Sequence, residues 1–404
     1  MEKVEYSLEK AILHNKFGSF CLKAGRVEKA VKHFNDAISI CPPDILFSNV
    51  HVNLANAYLE EKKTEEAKIQ FQLAIEKSPY NQPDFQGLEI NPSLHSLEAL
   101  SESYANLAVL YMNKDELDTA HNLLLRSIQL KSDSEANVNL GHLLRQLNRK
   151  EEAIEYAWSQ AEAHARKDGA EFIRPTQLEP KHFELPPRNP EDTVHVVCVK
   201  WGSKYGPDYV NKLYHGVKRH VSGIPYDFCC FTENPEGLDE GIRVVPLAEN
   251  WSGWWGKATL FSEHGLEGRL VYIDLDTVIT GSLNDLLSYP GVFAVMGTSD
   301  IACEKEKNSY NTSIIAWHSS FGKEIYTTLR QNYKYMLKFI CRFDHWTEMM
   351  VKDADLVQEV FPGQFLDYLT YCKESVPEGC RMVCFPRDPK PHDYKSEWIR
   401  ELWN

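Results

Sequence analysis

Two carboxylates one residue apart, Asp274 and Asp276, directly follow the apolar residues 270–273. The apolar stretch has high strand propensity and predicts a strand that is buried on both faces. Open α/β sheets bind their ligands at the carboxyl ends of the strands, where both acids would then lie. Two such carboxylates can share one hard divalent cation and leave room for substrate phosphates. A solvated turn is the competing interpretation, because this tripeptide pattern is common by chance.

A second group of candidate ligands lies near the C-terminus, in the proline-rich residues 385–392. The prolines restrict the backbone and so direct the polar side chains between them. His392, placed beside the two carboxylates, would complete a mixed oxygen and nitrogen site suited to Mn²⁺, with Mg²⁺ also possible. Lys390 and Arg387 would neutralise a diphosphate leaving group.

Two loops add aromatic, glycine and lysine residues to this candidate pocket. After the first strand, Tyr205 or Trp201 would stack on a nucleotide base, and Gly202 would let the backbone approach it; alternatively, the rings pack under the loop. Residues 251–257 hold three tryptophans among glycines. One interpretation is a mobile aromatic loop that lies beside a sugar. The other is that the tryptophans pack against the linker or against the repeats. Lys257 would hold a phosphate as a point charge.

The elements that must position these residues are strands and helices that alternate after residue 193. Pro207 begins a helix after the first strand. Four strands are predicted in all, at residues 194–199, 226–231, 242–247 and 270–273, and the last of them directly precedes the paired acids. This alternation predicts a three-layer α/β domain over residues 194–404. The proline-rich residues 166–193 predict a linker or strap in front of it.

Residues 1–165 show a different pattern, in which small and large residues recur at matched positions of helical segments. The small residues recur near a 34-residue period, apart from one insertion that begins at residue 80; they include Ala30, Ala67, Ala120 and Ala153. Such a helical-repeat domain would offer a groove to a protein or peptide partner, or a surface for self-association. A purely architectural arm is the alternative.

Composition restricts the class of protein further. The net charge of -14 argues against a protein whose main partner is nucleic acid. No long apolar segment predicts a signal peptide or a membrane span. Ten cysteines fall at irregular spacings without a Cys-x-x-Cys pair, which argues against a zinc site and favours reduced thiols. A cytoplasmic protein is therefore expected.

Both halves resemble known families. Residues 1–165 resemble a tetratricopeptide-repeat solenoid, and residues 194–404 resemble a Rossmann-like GT-A glycosyltransferase of the retaining, glycogenin-like group. The second resemblance rests on Tyr205, Lys257, Asp274 with Asp276, Asp300 followed by Asn311-Thr312-Ser313, Asp344, and Lys390 with His392. It implies that Asp274, Asp276 and His392 bind the metal. It also implies that Asp300 and Asn311 hold the donor sugar and that Asp344 lies near the reacting face.

The resemblance implies metal-dependent transfer of a sugar, from a UDP-linked donor, to an acceptor that the repeats recruit. Asp344 and Asp300 are then the candidate catalytic acids. Residues 343–346 lack the group's Asp-Gln pair, and residues 390–393 lack its His-x-x-Gly-x-x-Lys order, so retention and inversion both stay open. One alternative is a repeat adaptor that binds nucleotide sugar without turnover. Another is a nucleotidyltransferase, although the loop after the first strand offers only Lys204 as a basic residue.

Overall fold

The structure is a computed structural model that describes residues 2–43, 45–81, 90–132, 134–187, 189, 191–394 and 396–404. The chain divides into two compact units, Met1–Leu147 and Asn148–Asn404. We call them the repeat unit and the sheet unit. Within the described residues, no helix combines the length and the apolar character that a membrane crossing requires.

Helices make up the regular structure of the repeat unit. They are α1 (Glu2–Lys23), α2 (Val27–Ile40), α3 (Ser48–Glu60), α4 (Thr64–Glu76), α5 (Leu97–Asn113), α6 (Leu117–Leu130) and α7 (Ser134–Gln146). The matched small and large residues of the repeat pattern lie between these helices, fully buried: Ala30, Phe34, Ala67, Phe71, Ala120 and Leu124. A Cβ atom at Gly18 would collide with the Phe34 ring. The small residues thus permit the close helix packing that the pattern predicts.

The predicted insertion falls between α4 and α5. Its first residue, Tyr80, belongs to a short 3-10 helix, Pro79–Asn81, and α5 begins only at Leu97. Residues 82–87 of the predicted insertion lie outside the described residues.

The sheet unit begins with α8 (Lys150–Lys167), ahead of the boundary predicted after residue 165. Trp158 of α8 is 2% exposed, and its ring centroid lies 5.6 Å from that of Trp346. Tyr156 makes an edge contact with Phe339. The helix therefore belongs to the core of the sheet unit, even though its sequence follows the repeat pattern.

The predicted linker, residues 166–193, lies along the sheet unit where it is described. Asn332 Nδ2 donates to the Ile173 carbonyl at 2.6 Å, and the Leu178 amide donates to the Met350 carbonyl at 2.7 Å. These bonds favour the strap over a free linker. Pro190 of this stretch lies outside the described residues.

A seven-stranded sheet forms the centre of this unit, and its strand order is β3-β2-β1-β4-β7-β6-β8. The strands of the unit are β1 (Val194–Lys200), β2 (Tyr226–Thr232), β3 (Arg243–Val245), β4 (Arg269–Ile273), β5 (Thr277–Ile279), β6 (Phe293–Gly297), β7 (Tyr310–His318), β8 (Asp355–Leu356), β9 (Phe365–Asp367) and β10 (Met382–Cys384). Strands β1 to β4 run parallel, whereas β7 is antiparallel to both neighbours. The chain leaves β1 for β2 and β3 on one side and returns to β4 on the other. A topological switch point therefore lies between β1 and β4.

Both faces of the sheet are covered. The helices after β1 are α9 (Pro207–His220), α10 (Asn284–Leu287), α11 (Lys323–Met336), α12 (Phe343–Met350), α13 (Val357–Val360) and α14 (Glu397–Leu402). Successive residues of β1, such as Val196 and Val197, are buried in two different hydrophobic cores. Since strand side chains alternate between the two faces, each face has its own core. The three-layer α/β arrangement agrees with the sequence prediction.

A second sheet of three strands, in the order β5-β10-β9, brings the C-terminal segment back to the paired acids. β10 pairs with β5 in antiparallel register, so that Cys384 lies opposite Thr277. Asp276 precedes Thr277, and Phe385 follows Cys384. This pairing therefore places residues 385–392 beside Asp276.

Candidate active site at the ends of β1 and β4

Asp274 is fixed by the sheet and by a buried lysine. Its amide donates to the Ser313 carbonyl on β7 at 2.8 Å. Its Oδ1 accepts a hydrogen bond from the Tyr272 hydroxyl and lies 2.8 Å from Lys257 Nζ. Lys257 is 9% exposed and also donates to the Thr312 carbonyl at 3.1 Å. The lysine of the tryptophan loop is thus the direct counter-ion of the first acid.

Asp276 has a matching arrangement. Its Oδ2 lies 2.7 Å from Lys390 Nζ and accepts a hydrogen bond from the Tyr205 hydroxyl at 2.8 Å. Lys390 Nζ also donates to the Phe385 carbonyl at 2.6 Å. Burial, together with the Asp276 charge, raises the pKa of Tyr205, so its hydroxyl stays a donor. Each acid therefore has one lysine and one tyrosine partner, drawn from four separate parts of the sequence.

Two cavities that share part of their lining open in front of these acids. The first, about 370 Å³, is lined by Trp201 and Tyr205 from the loop after β1 and by both acids. The second, about 360 Å³, is lined by Asn311 and Asp344 and again by Asp274. Six described residues line both: Lys204, Trp254, Lys257, Asp274, Pro386 and Lys390. An elongated ligand could therefore extend through both cavities past Asp274.

The start of β7 positions two further predicted residues beside the second cavity. The Thr312 amide and hydroxyl both donate to Asp344 Oδ1, at 2.8 and 2.5 Å. Asn311, which is 9% exposed, accepts a hydrogen bond from the Ser313 amide at 3.0 Å. Asp344 lies in the first turn of α12, so this contact joins the helix to the strand that also holds Asp274.

Asp300 is not brought to these cavities. It is exposed and lines a different cavity, together with residues such as Tyr371. The Thr298 amide donates to the Ser309 carbonyl at 2.9 Å and closes the connection between β6 and β7. The residues between them form a loop beyond the strand ends. Asp300 therefore does not share a cavity with Asn311, although the resemblance implied one donor-sugar site for both.

His392 lies one layer of side chains away from the acids. Among the described residues, Asp274, Asp276 and His392 do not form a group whose ligand atoms all lie within 4.8 Å of one another. His392 Nδ1 instead meets the Tyr209 hydroxyl, and the Tyr209 ring lies 4.6 Å from Tyr205. The C-terminal segment therefore presents Lys390, rather than His392, to the acids.

Two predicted residues of the loop after β1, Trp201 and Gly202, differ in whether they line the cavities. Trp201 is half-buried and lines the first cavity. Gly202 has a φ of 57°, which favours glycine, and its amide donates to Glu233 Oε1 at 2.5 Å. Gly202 is not among the described residues that line the two cavities. Its contribution is the shape of the loop.

Of the three tryptophans in residues 251–257, one lies at the ligand cavities and two pack within the sheet unit. Trp254 is 55% exposed and lines both cavities. Trp251 stacks on Tyr333 with ring centroids 4.5 Å apart, and Trp255 is buried against the same ring. Two tryptophans therefore anchor the loop, while the third faces the ligand space.

Sequence reasoning missed a buried charge cluster at the second cavity. Glu304 is 7% exposed and accepts hydrogen bonds from Arg387 at 3.0 Å and from Arg342 at 3.3 Å. Burial alone would lower the pKa of Arg342, but the Glu306, Glu304 and Asp344 carboxylates outweigh it and raise that pKa. Arg387 was a candidate from the sequence, but its partners come from distant parts of the chain, so no local pattern reveals the cluster.

The chemistry of the donor set fits a hard divalent cation. Asp274 and Asp276 both line the first cavity, and carboxylate oxygens are the ligands that Mg²⁺ and Mn²⁺ prefer. Five acidic and five basic described residues line the two cavities, which makes the lining formally neutral. They are Asp274, Asp276, Glu304, Asp344, Asp388, Lys204, Lys257, Arg342, Arg387 and Lys390. A divalent cation would give this lining a net positive charge, as a diphosphate ligand requires.

The tetratricopeptide repeat family model matches residues 48–81 and 134–157. This match confirms the predicted repeats for those residues, and the second range reaches into α8. No curated protein matches the chain.

Solved structures resemble parts of the chain. The first TPR of Spaghetti (RPAP3), bound to the HSP90 peptide SRMEEVD, is 18% identical and covers 35% of this chain and 94% of that one, with a TM-score of 0.28. The N-terminal domain of STI-1 from C. elegans is 20% identical over 34% and 96%, with a TM-score of 0.27. The glycosyltransferase GlyE of Streptococcus pneumoniae TIGR4 is 12% identical over 52% and 59%, with a TM-score of 0.38. Because these TM-scores are low, the function is inferred from the site alone.

Proposed function

We propose that the sheet unit is a GT-A glycosyltransferase that moves a sugar from a nucleotide sugar, such as a UDP-sugar, to an acceptor. The observation that supports this proposal is the position of Asp274 and Asp276. They follow β4 at the switch point between β1 and β4, and loops that follow both strands line the cavity in front of them. Open α/β sheets bind nucleotides at such points.

The two cavities suit the two halves of such a donor. The nucleoside would occupy the first cavity, where Trp201 and Tyr205 offer rings for stacking. The sugar would occupy the second, beside Asn311 and Asp344. The diphosphate between them would lie at the shared lining, which includes three lysines: Lys204, Lys257 and Lys390.

Asp274 and Asp276 would hold Mn²⁺ or Mg²⁺, which when bound supplies Lewis-acid stabilisation of the leaving diphosphate. As the bond between the sugar and the diphosphate breaks, the electron pair stays on the diphosphate oxygen. Lys257 and Lys390 lie close enough to the acids to turn from them towards that developing charge. Asp344 would stabilise positive charge on the sugar. Asp300, in its separate cavity, has no role in this proposal.

The repeat unit would recruit the acceptor, a protein or a peptide, and so raise its effective concentration. The experiment compares the full chain with a chain that lacks residues 1–147 and keeps α8. We expect donor hydrolysis to stay nearly unchanged, while transfer to a protein acceptor is lost. If the shortened chain glycosylates that acceptor as well as the full chain does, acceptor recruitment by the repeats is wrong.

A second candidate function is nucleotide-sugar binding without turnover, and one observation favours it. Each acid already has a lysine counter-ion, so the acids are neutralised without a cation. The discriminating experiment incubates the protein with UDP-sugars and Mn²⁺ and follows release of UDP. Asp274→Asn with Asp276→Asn is the matched control. Release that depends on the two acids supports the transferase, whereas binding by calorimetry without release supports the binding module.

A further inference from the structure

A cluster of two histidines and one aspartate joins the first two helices of the repeat unit. His14 lies on α1, and His33 and Asp36 lie one helical turn apart on α2. Their ligand atoms all lie within 4.8 Å of one another. The cluster lies outside the candidate active site and has no part in the proposed glycosyl transfer.

We propose that His14, His33 and Asp36 bind a transition-metal ion of the Zn²⁺ class and thereby fasten α1 to α2. The distances support a tetrahedral site. His14 Nδ1 and His33 Nδ1 lie 3.3 Å apart, and His14 Nδ1 lies 3.6 Å from Asp36 Oδ2. Two nitrogens bound at ordinary zinc distances in a tetrahedron are separated by about 3.3 Å. The two helices therefore already hold the nitrogens at the spacing that a shared zinc ion requires.

The ligand types and their accessibility agree with this assignment. Two imidazoles and one carboxylate form a mixed nitrogen and oxygen set that suits Zn²⁺, Co²⁺ or Ni²⁺ better than Mg²⁺. The side chains of His14 and Asp36 are 22% and 39% exposed, so an ion can enter and a water can complete the coordination. The irregular cysteine spacing argued against a zinc site, but this cluster uses no cysteine.

A second mixed cluster in the sheet unit, His195 with Asp227 and Cys229, provides an instructive contrast. There, His195 Nδ1 meets Asp227 at 2.6 Å and His195 Nε2 meets the Glu267 carbonyl at 3.0 Å. Both ring nitrogens of His195 thus face an acceptor, so a metal could bind only in place of one of these hydrogen bonds. In the first cluster, the Nδ1 atoms of His14 and His33 face each other instead, 3.3 Å apart.

The position of the cluster gives the ion a structural role. Ala11 of α1 and Phe34 of α2 belong to one buried hydrophobic cluster, which packs the two helices together. An ion shared between α1 and α2 would add a second point of attachment between them. The binding free energy would then add to the stability of the first helix pair.

The test titrates the untagged full chain with Co²⁺ and follows the visible absorption bands. Tetrahedral Co²⁺ with nitrogen and oxygen ligands gives strong visible bands, and without sulfur it gives no near-ultraviolet charge-transfer band. We expect one such site per chain, displaced by Zn²⁺. Asp36→Asn, which keeps the side-chain shape, and His33→Ala should each weaken binding at least about tenfold. His121→Ala on α6 is the matched control and should bind as the unchanged chain does.

Two controls accompany the titration: one excludes the candidate active site, and the other verifies folding. Asp274→Asn with Asp276→Asn should leave the bands unchanged, since oxygen ligands alone do not give them. Far-UV circular dichroism verifies that each variant is folded. Absence of the bands, equal binding by Asp36→Asn and the unchanged chain, or a charge-transfer band lost in Cys229→Ser would each overturn the proposal.

Discussion

Replacement of Lys390 by methionine tests whether the lysine is the counter-ion of Asp276. The change keeps most of the side-chain volume and removes only the charge and its hydrogen bonds. Lys390 Nζ lies 2.7 Å from Asp276 Oδ2 and 2.6 Å from the Phe385 carbonyl. The variant therefore leaves a nearly buried carboxylate without its cation and a carbonyl without a donor.

The expected loss of stability follows from the burial of this pair. The side chains of Lys390 and Asp276 are only 10% and 13% exposed, so water screens the pair poorly. Removal of one partner of a buried pair costs about 3–5 kcal/mol. The Tyr205 hydroxyl still donates to Asp276, so we expect the lower end, about 3 kcal/mol. For a unit of this size, the thermal midpoint should fall by roughly 6–12 °C.

Tryptophan fluorescence is a selective probe for this measurement. All nine tryptophans lie between Trp158 and Trp403, within the sheet unit. Lys204→Met is the matched control, because Lys204 lines the same cavities but is exposed; it should change stability by less than about 0.5 kcal/mol. Asp276→Asn in the Lys390→Met background should restore most of the loss. Equal stability of Lys390→Met and the unchanged chain, or no rescue by Asp276→Asn, would refute the pairing.

Three further predictions concern single residues. Trp254→Ala should raise the KM for the donor and leave stability unchanged, whereas Trp251→Ala, which loses the stack on Tyr333, should lower the thermal midpoint. Asp344→Asn should lower kcat for UDP release by roughly a hundredfold with little change in KM; an unchanged kcat would remove it from the reaction. Burial alone would raise the pKa of Asp227, but the hydrogen bond and charge of His195, together with Cys229 and Arg243, outweigh it and lower that pKa. A lowered pKa contributes stability at neutral pH that is lost as the pH falls through the folded-state value. Asp227→Asn should therefore destabilise at pH 7 and match the unchanged chain in strong acid, as urea unfolding followed over pH can verify.

The sequence predicted the elements whose signal is local. The strands at residues 194–199, 226–231 and 270–273 coincide with β1, β2 and β4, because apolar runs bounded by turns suffice to identify them. The helical repeat was also predictable, because its matched small residues recur at a short, regular spacing along the chain. The antiparallel strand β7 and the second sheet were not predicted, because strand pairing across a long separation leaves no local pattern.

α8 shows why the unit boundary was not predictable. Its sequence continues the repeat periodicity, and the repeat family model matches it up to residue 157. Its Trp158 nevertheless packs on Trp346 within the sheet unit. Periodicity identifies which face of a helix is buried, but not which partner buries it.

At the site, the sequence suggested candidate residues but not how they pair. Lys257 and Lys390 were predicted to contact phosphates, and the structure shows in addition that each lies against one of the acids. His392 and Lys390 are two residues apart, and the turn between them decides which one reaches Asp276. That choice depends on the 3-10 helix Pro391–Asp393, whose Asp393 carboxylate accepts the Lys390 amide at 2.8 Å.

The balance of charge connects these pairings to the proposed reaction. Without a ligand, each acid of the motif is neutralised by its own lysine, and the whole cavity lining is formally neutral. A cation held by the two acids would take over the neutralisation of Asp274 and Asp276. Lys257 and Lys390 would then be released to face the diphosphate. Cation and donor should therefore bind cooperatively, since each one stabilises the arrangement that the other needs.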